Sequence, residues 1–314
     1  MKAVQAVPSI QIKNILYLTD FSAASEHVLP FAIGLARKYH ATIETLHVLT
    51  PVIPDTCSAA IQADTGLAEF EMKKIETKLV GVPFETTLAR GMGMWEAVER
   101  AIRDNHIDVI VLATHGRTGL SKFLLGSVAE EVFRRSPVPV MTIGPAVRNA
   151  GATAAKFHHV LFATDFSSES EAAAPFAISL ADESPARLKL LHVMPEPTLE
   201  NPSEINRFEA SVADAIRRLR EIVPSDAEIY NPAEVVIEYG DPADRIVSAA
   251  RERGADLIVL GVRGAAAHLG AATHLGQAVA HKVVAHAPCP VLTVRALETT
   301  SVAHENNAGE RTFP

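Results

Sequence analysis

Three short tracts carry residue types that could bind a ligand. Thr19-Asp20-Phe21-Ser22 follows an apolar run and precedes a helical pattern. A carboxylate at the carboxyl end of a strand can accept hydrogen bonds from sugar hydroxyls or orient a metal. The alternative is local: Asp20 braces the turn while Ser22 caps the helix that follows. His47-Val48 ends a second apolar run. The main-chain N–H and C=O of Val48 can read a purine edge there, whereas His47 reads as a satisfied core residue more readily than as a ligand. The third tract is Ala113-Thr114-His115-Gly116, followed after nine residues by Gly126-Ser127. Glycines let backbone approach a ligand closely and take positive φ. A helix starting near Ser127 would aim its unpaired N–H groups at an anion, with His115 and Arg117 as further donors. The competing reading is a capping box, with Ser127 as N-cap and Glu130 three residues on, in which the serine serves only its own helix.

Each tract has a counterpart further along the chain. Ile15–Ala36 and Val160–Ala181 are identical at 13 of 22 positions at an offset of 145 residues. TLHV answers LLHV, DVIVLATHG answers DLIVLGVRG, and SPVPVMTI answers APCPVLTV. A period near 150 residues is too long for a solenoid and means a duplicated domain. The second copy keeps Asp165, Val193, Gly261 and Gly264, but Gln277-Ala278 stands where the first has Gly126-Ser127, in a loop three residues longer.

The elements that must position these residues alternate between strand and helix. In the first half, strands are expected at Asn14–Thr19, Thr42–Leu49, Phe84–Ala89, Asp108–Ala113 and Val138–Ile143. Helices are expected from Ser22 (apolar face Val28, Phe31, Leu35), through Ala68, Met72, Ile75 and Leu79, and over Met94–Asn105 and Ser127–Arg135. Strands joined by helices imply right-handed crossovers and a parallel sheet. The fold class is therefore α/β: two tandem doubly wound domains, flavodoxin-like or related, each with a five-stranded parallel sheet. Ligands on such sheets bind at the carboxyl ends of the strands. The boundaries read as domain 1 over 1–146, a linker over 147–156, domain 2 over 157–296 and a disordered tail over 297–314.

Composition supports this and excludes other classes. Of 314 residues 48% are apolar and 21% charged, enough to bury a core in each half. A net charge of −8 lacks the basic signature of nucleic-acid binding. Two cysteines make no disulfide framework and suit a reducing compartment. No apolar run reaches the ~18 residues of a membrane span, and the expected location is the cytoplasm. His268, His274, His281 and His286 lack tight metal-ligand spacing.

On these residues the chain resembles the universal stress protein family, from about residue 12 to 295. ATP-binding members carry G-x2-G-x9-G-(S/T) after the fourth strand. Gly116, Gly126 and Ser127 match it, while Ala113 replaces the first glycine. The resemblance implies a Rossmann-like, adenine nucleotide α-hydrolase-like fold. It also implies ATP as ligand, with magnesium as its companion ion. Asp20 would contact ribose and Val48 adenine; Leu112 and Ala113 would flank the nucleotide; Gly116, Gly126, Ser127 and Val128 would hold phosphates. The second site would be weak, altered or empty. In the family the last strands pair across a dimer, so the halves are expected to form an intramolecular pseudo-dimer, and two chains a homodimer. A regulatory nucleotide-binding role in the stress response follows, with at most slow ATP hydrolysis. An interaction module with both clefts empty is the alternative. An adenylating enzyme is disfavoured, because neither an S-G-G-x-D-S turn nor an H-x-G-H motif occurs.

Overall fold

The computed structural model describes residues 10–49, 58–116, 125–147, 156–182, 186–197, 201–224, 231–262 and 274–296. Arg117, Gly264 and His268 lie outside them, as do the tail from 297 and most of the linker. The first half runs β1 (Asn14–Leu18), α1 (Ala23–Tyr39), β2 (Thr42–Val48), α2 (Ser58–Lys78), β3 (Phe84–Ala89), α3 (Met94–Asp104), β4 (Val109–Ala113), α4 (Ser127–Arg135) and β5 (Val140–Ile143). The second repeats this as β6 (His159–Ala163), α5 (Ser168–Asp182), β7 (Arg187–Met194), α6 (Pro202–Ile222), β8 (Glu234–Tyr239), α7 (Pro242–Glu252), β9 (Leu257–Val262), α8 (His274–His286) and β10 (Val291–Arg295).

All ten strands form one sheet in the order β3-β2-β1-β4-β5-β10-β9-β6-β7-β8. Each half has the doubly wound order 3-2-1-4-5 rather than the flavodoxin order, so its switch point lies between the first and fourth strands. Pairing is parallel within each half and antiparallel where β5 meets β10. That junction is self-complementary: Val291 faces Thr142, Leu292 faces Met141 and Thr293 faces Val140. The hydroxyl of Thr142 donates to the Val291 carbonyl (3.3 Å), and that of Thr293 to the Val140 carbonyl (3.2 Å).

Strand alternation divides the core between two faces of the sheet. Ile15 and Tyr17 of β1 join Val28 and Leu35 of α1, Ala177 of α5 and Leu219 of α6. Leu16 and Leu18 join Val98 of α3, Val132 of α4, Ile246 of α7 and Val283 of α8. The α1 positions Val28, Phe31 and Leu35 are buried, as helical spacing predicts; so are Ala68, Met72, Ile75 and Leu79, the last just past the end of α2. The aspartate opening each fourth strand has a positional task. Asp108 accepts from the N–H groups of Lys13 and Asn14, and Asp256 from those of His158 and His159.

One buried group works against stability at neutral pH. Glu44 on β2 is 5% exposed. Desolvation raises its pKa, aided by the charge of Glu85 and opposed by a hydrogen bond from Thr87. The folded state then binds a proton more readily than the unfolded state, so stability falls as pH rises from the ordinary glutamate range into the raised one. Glu44→Gln keeps an oxygen for Thr87 and removes the charge. Its melting temperature is expected to exceed that of the parent at pH 7 and to converge with it below the unfolded-state pKa, as calorimetry at both pH values would read.

Candidate functional site

The turn after β1 is built by its own side chains. Thr19 Oγ1 accepts from the Phe21 N–H (3.0 Å), and Asp20 Oδ1 accepts from the Ser22 N–H (3.0 Å) and the Ser25 hydroxyl. Ser22 caps α1, accepting from the Ser25 N–H. Thus the two readings of this tract coexist: Asp20 braces the turn through one oxygen, and its side chain also lines the cleft. Phe21 is left-handed at φ 59°, and so is its counterpart Phe166 at φ 61°. Such a conformation costs a non-glycine residue roughly 1–2 kcal/mol. It turns the Phe21 ring onto His47, with centroids 4.2 Å apart. His47 Nδ1 bonds the Thr19 carbonyl at 2.7 Å. The histidine therefore locks the strand end and the turn together, as its core reading predicts.

The loop after β4 corrects two expectations. First, Ser127 is not the N-cap of α4. Gly126 is, at φ −65° and ψ 150°, with no side-chain cap bond, and its carbonyl receives the Glu130 N–H. Ser127 is instead the first helical residue, so the capping box does not form. Second, Gly116, Gly126 and Gly261 are absent from the left-handed region, and Ala113 carries no backbone strain. What these glycines supply is space. A β-carbon on Gly126 would come within 3.3 Å of the Thr114 carbonyl, and one on Gly116 within 2.5 Å of Asp20 Oδ2. The Gly126 N–H closes the loop onto the Thr114 carbonyl (2.8 Å), and buried Thr114 anchors it through its own N–H to Ile143 O (3.1 Å). His115 Nδ1 lies 2.8 Å from Thr114 Oγ1; His115 Nε2 is buried without a partner among the described residues.

These tracts converge on one cleft of about 550 Å3. Asp20, Val48, Leu112, Ala113, His115, Gly116, Gly126, Ser127 and Val128 all line it. At its inner end lies the first turn of α4, whose N–H groups have no partner within their helix. Sequence reading missed the outer wall, formed by Asp64, Leu67, Ala68 and Glu71. Their spacing of i, i+3, i+4, i+7 marks one face of α2. That signal was open to reading, but only Ala68 belonged to the apolar series recognised there. Thr114 was also missed, since its part depends on the Gly126 contact.

The second copy repeats the turn but not the cleft. Asp165 Oδ1 accepts from the Ser167 N–H, the Ser167 hydroxyl and the Ser170 hydroxyl. Desolvation opposes ionisation of Asp165, yet these hydrogen bonds prevail and hold its carboxyl below the usual carboxylate range. Asp165, Val193 and Gly261 line a cleft of about 280 Å3. Here Gly261 is under close constraint: a β-carbon would lie 2.3 Å from the carbonyl carbon and oxygen of Glu169. The first turn of α5 is thus pressed onto the end of β9. At the equivalent place in the first copy Ala113 carries a methyl group, which α1 must clear. On α8, His286 Nδ1 meets the Lys282 carbonyl of its own helix at 2.7 Å. Among the described residues no helix is long and apolar enough to cross a membrane, and no His, Cys, Asp and Glu cluster could hold a metal.

The universal stress protein family model matches this chain twice, over residues 11–144 and 156–295. The chain belongs to the universal stress protein family, with two such domains in tandem. A universal stress protein of Thermus aquaticus is 36% identical over 143 residues, 44% of this chain and 99% of that protein. The universal stress protein MJ0531 of Methanocaldococcus jannaschii is 30% identical over 139 residues, 42% of this chain and 81% of that protein. A solved universal stress protein of Archaeoglobus fulgidus shares the fold over 91% of this chain and 99% of its own, with a TM-score of 0.67 at 24% identity.

Proposed function

We propose that the first cleft binds ATP and that the chain acts in the cytoplasm as a regulatory nucleotide-binding protein of the stress response. The observation that carries this is the end of α4. Gly126 rather than Ser127 caps the helix, so the serine hydroxyl makes no cap bond, and Ser127, Val128 and Ala129 line the cleft in the first turn of the helix. Unpaired first-turn amides and the helix dipole favour an anion there, the dipole by roughly 0.3–1 kcal/mol. Asp20, beside Gly116 in the same cleft, suits ribose hydroxyls, and the main chain at Val48 suits adenine. The fit of ATP rests on Gly116 and Gly126, where an added β-carbon would press on Asp20 Oδ2 and on the Thr114 carbonyl and disturb the lining. The described lining includes Asp20, Asp64 and Glu71 but no Lys or Arg, which supports entry of the triphosphate as its magnesium complex.

In this reading the junction of β5 and β10 serves as the contact of an intramolecular pseudo-dimer, and two chains associate further as a homodimer. The chain divides at 1–146, 147–156 and 157–296, with 297–314 as a tail. Purified protein, denatured and examined by mass spectrometry, is expected to release ATP. Gly126→Ala combined with Ser127→Ala is expected to remove it while circular dichroism stays unchanged. Retention of full ATP by that double variant would overturn the assignment.

A further inference from the structure

The ten-stranded sheet ends in two edges, β3 and β8, and their surroundings differ. Among the described residues five large apolar side chains are exposed. Four of them, Leu67, Phe70, Val80 and Phe84, belong to α2, β3 and the turn between; the fifth, Ile205, lies on α6. At β8, Val235 and Ile237 pack against the core, and Glu234 and Glu238 bond Arg253. Edges that stay single are blunted by charge, proline or cover. The β3 segment FETTLA has one charged residue, Glu85, and no proline.

The main chain of β3 is set for pairing. The Ile43 N–H donates to the Pro83 carbonyl and the Leu49 N–H to the Ala89 carbonyl, each at 2.9 Å. In a parallel ladder alternate residues bond to opposite sides, so the odd-numbered residues of β3 face β2. Phe84, Thr86 and Leu88 turn their N–H and C=O groups outward, where no further strand lies among the described residues. The same three side chains share the α2 face of the sheet, as the bond from the Thr86 hydroxyl to Glu76 Oε1 (3.1 Å) shows.

We infer that a second copy of this chain docks on the β3 edge, antiparallel and two-fold related, with Thr86 on the axis. Thr86 then opposes the partner's Thr86, and Phe84 opposes the partner's Leu88, so every outward N–H and C=O of the three residues finds a mate. An isologous contact of this kind needs a self-complementary surface, and α2 supplies one. Glu76, beside Thr86, stands six residues after Phe70 and four before Val80. An antiparallel copy of α2 therefore lays Phe70, 60% exposed, near the partner's Val80, 73% exposed in each chain. Lys73 and Lys74 likewise fall near the partner's Glu76, opposite signs together. The inference gives the homodimer read above its surface and rests on that reading.

The test is sedimentation of the full chain over a concentration series, with amide hydrogen exchange read by NMR. The parent is expected to dimerise. Exchange at Phe84, Thr86 and Leu88 is expected to slow as concentration rises, while Glu85 and Thr87, already bonded to β2, hold steady. Thr86→Pro leaves the β2 ladder intact, because that N–H points away from it. Thr86→Pro and, separately, Phe70→Lys are each expected to weaken self-association about 10- to 100-fold. Phe70 is exposed, so its variant keeps the fold if the proline one does not. Dimers of parental affinity in Phe70→Lys, or exchange at Thr86 that ignores concentration in a dimerising parent, would overturn the β3 surface and leave the homodimer standing. A parent that stays monomeric at hundreds of micromolar would overturn both.

Discussion

Gly261→Ala is expected to lower the unfolding free energy of the chain by about 1–3 kcal/mol, the range of overpacked cores. The added carbon would meet Glu169 C and O at 2.3 Å and Ser170 N at 2.4 Å. All three belong to the main chain of α5, so no side-chain rotation relieves the contact. Either α5 moves away from β9 or β9 bends. Urea unfolding should show a lower midpoint, with the loss confined to the transition of the second half if the halves unfold separately. Ala113→Gly, its mirror image in the first half, should cost under about 1 kcal/mol, mainly through added backbone freedom. Equal effects at the two positions would contradict the asymmetric seating of α1 and α5.

Gly116→Ala is expected to reduce ATP affinity about 10- to 100-fold with little loss of stability. Its methyl group would sit 2.5 Å from Asp20 Oδ2. Here the neighbour is the end of a side chain, so the carboxylate rotates rather than the fold. Rotation disturbs the Oδ1 bonds to the Ser22 N–H and the Ser25 hydroxyl and withdraws the acceptor offered to the ligand. A lost bond to a charged group is worth about 1.5–3 kcal/mol, which sets that range. Calorimetric titration of Gly116→Ala, Asp20→Ala and the double variant would test the route. If the glycine acts through the aspartate, the double variant binds about as well as Asp20→Ala alone. Additive losses would place the role of Gly116 elsewhere, for instance in direct approach to phosphate.

Much of this architecture was legible in the sequence because duplication printed it twice. The matched strand tracts and helix faces identified the layers, and Phe84–Ala89 and Ser127–Arg135 form the elements that their patterns predict. Strand ends were also legible, since Asp20, Val48 and Gly116 each follow or close an apolar run. Other features depended on distances that no spacing encodes. A glycine may be needed for its φ or for its missing β-carbon, and Gly116, Gly126 and Gly261 prove to be of the second kind. Ser127 followed by Glu130 fits a capping box by letters alone. In the fold Gly126, tied by its N–H to Thr114 O, is the cap and Ser127 the first helical residue, so the box does not form. The strained Phe21 and Phe166 were invisible for a similar reason: each ring sits on a histidine ring from the neighbouring strand, a contact no spacing encodes.

The union of β5 with β10 has an evolutionary corollary. When two identical subunits share an edge, every amino-acid change occurs on both sides of the symmetry axis, and a damaged receptacle is damaged twice. A covalent tandem releases that coupling. One lobe can drift to a new ligand while its sibling keeps the ancestral one, and dilution cannot separate them. Ala113 opposite Gly261, and Gly126-Ser127 opposite Gln277-Ala278, are differences of the kind that a covalent tandem permits within a shared sheet.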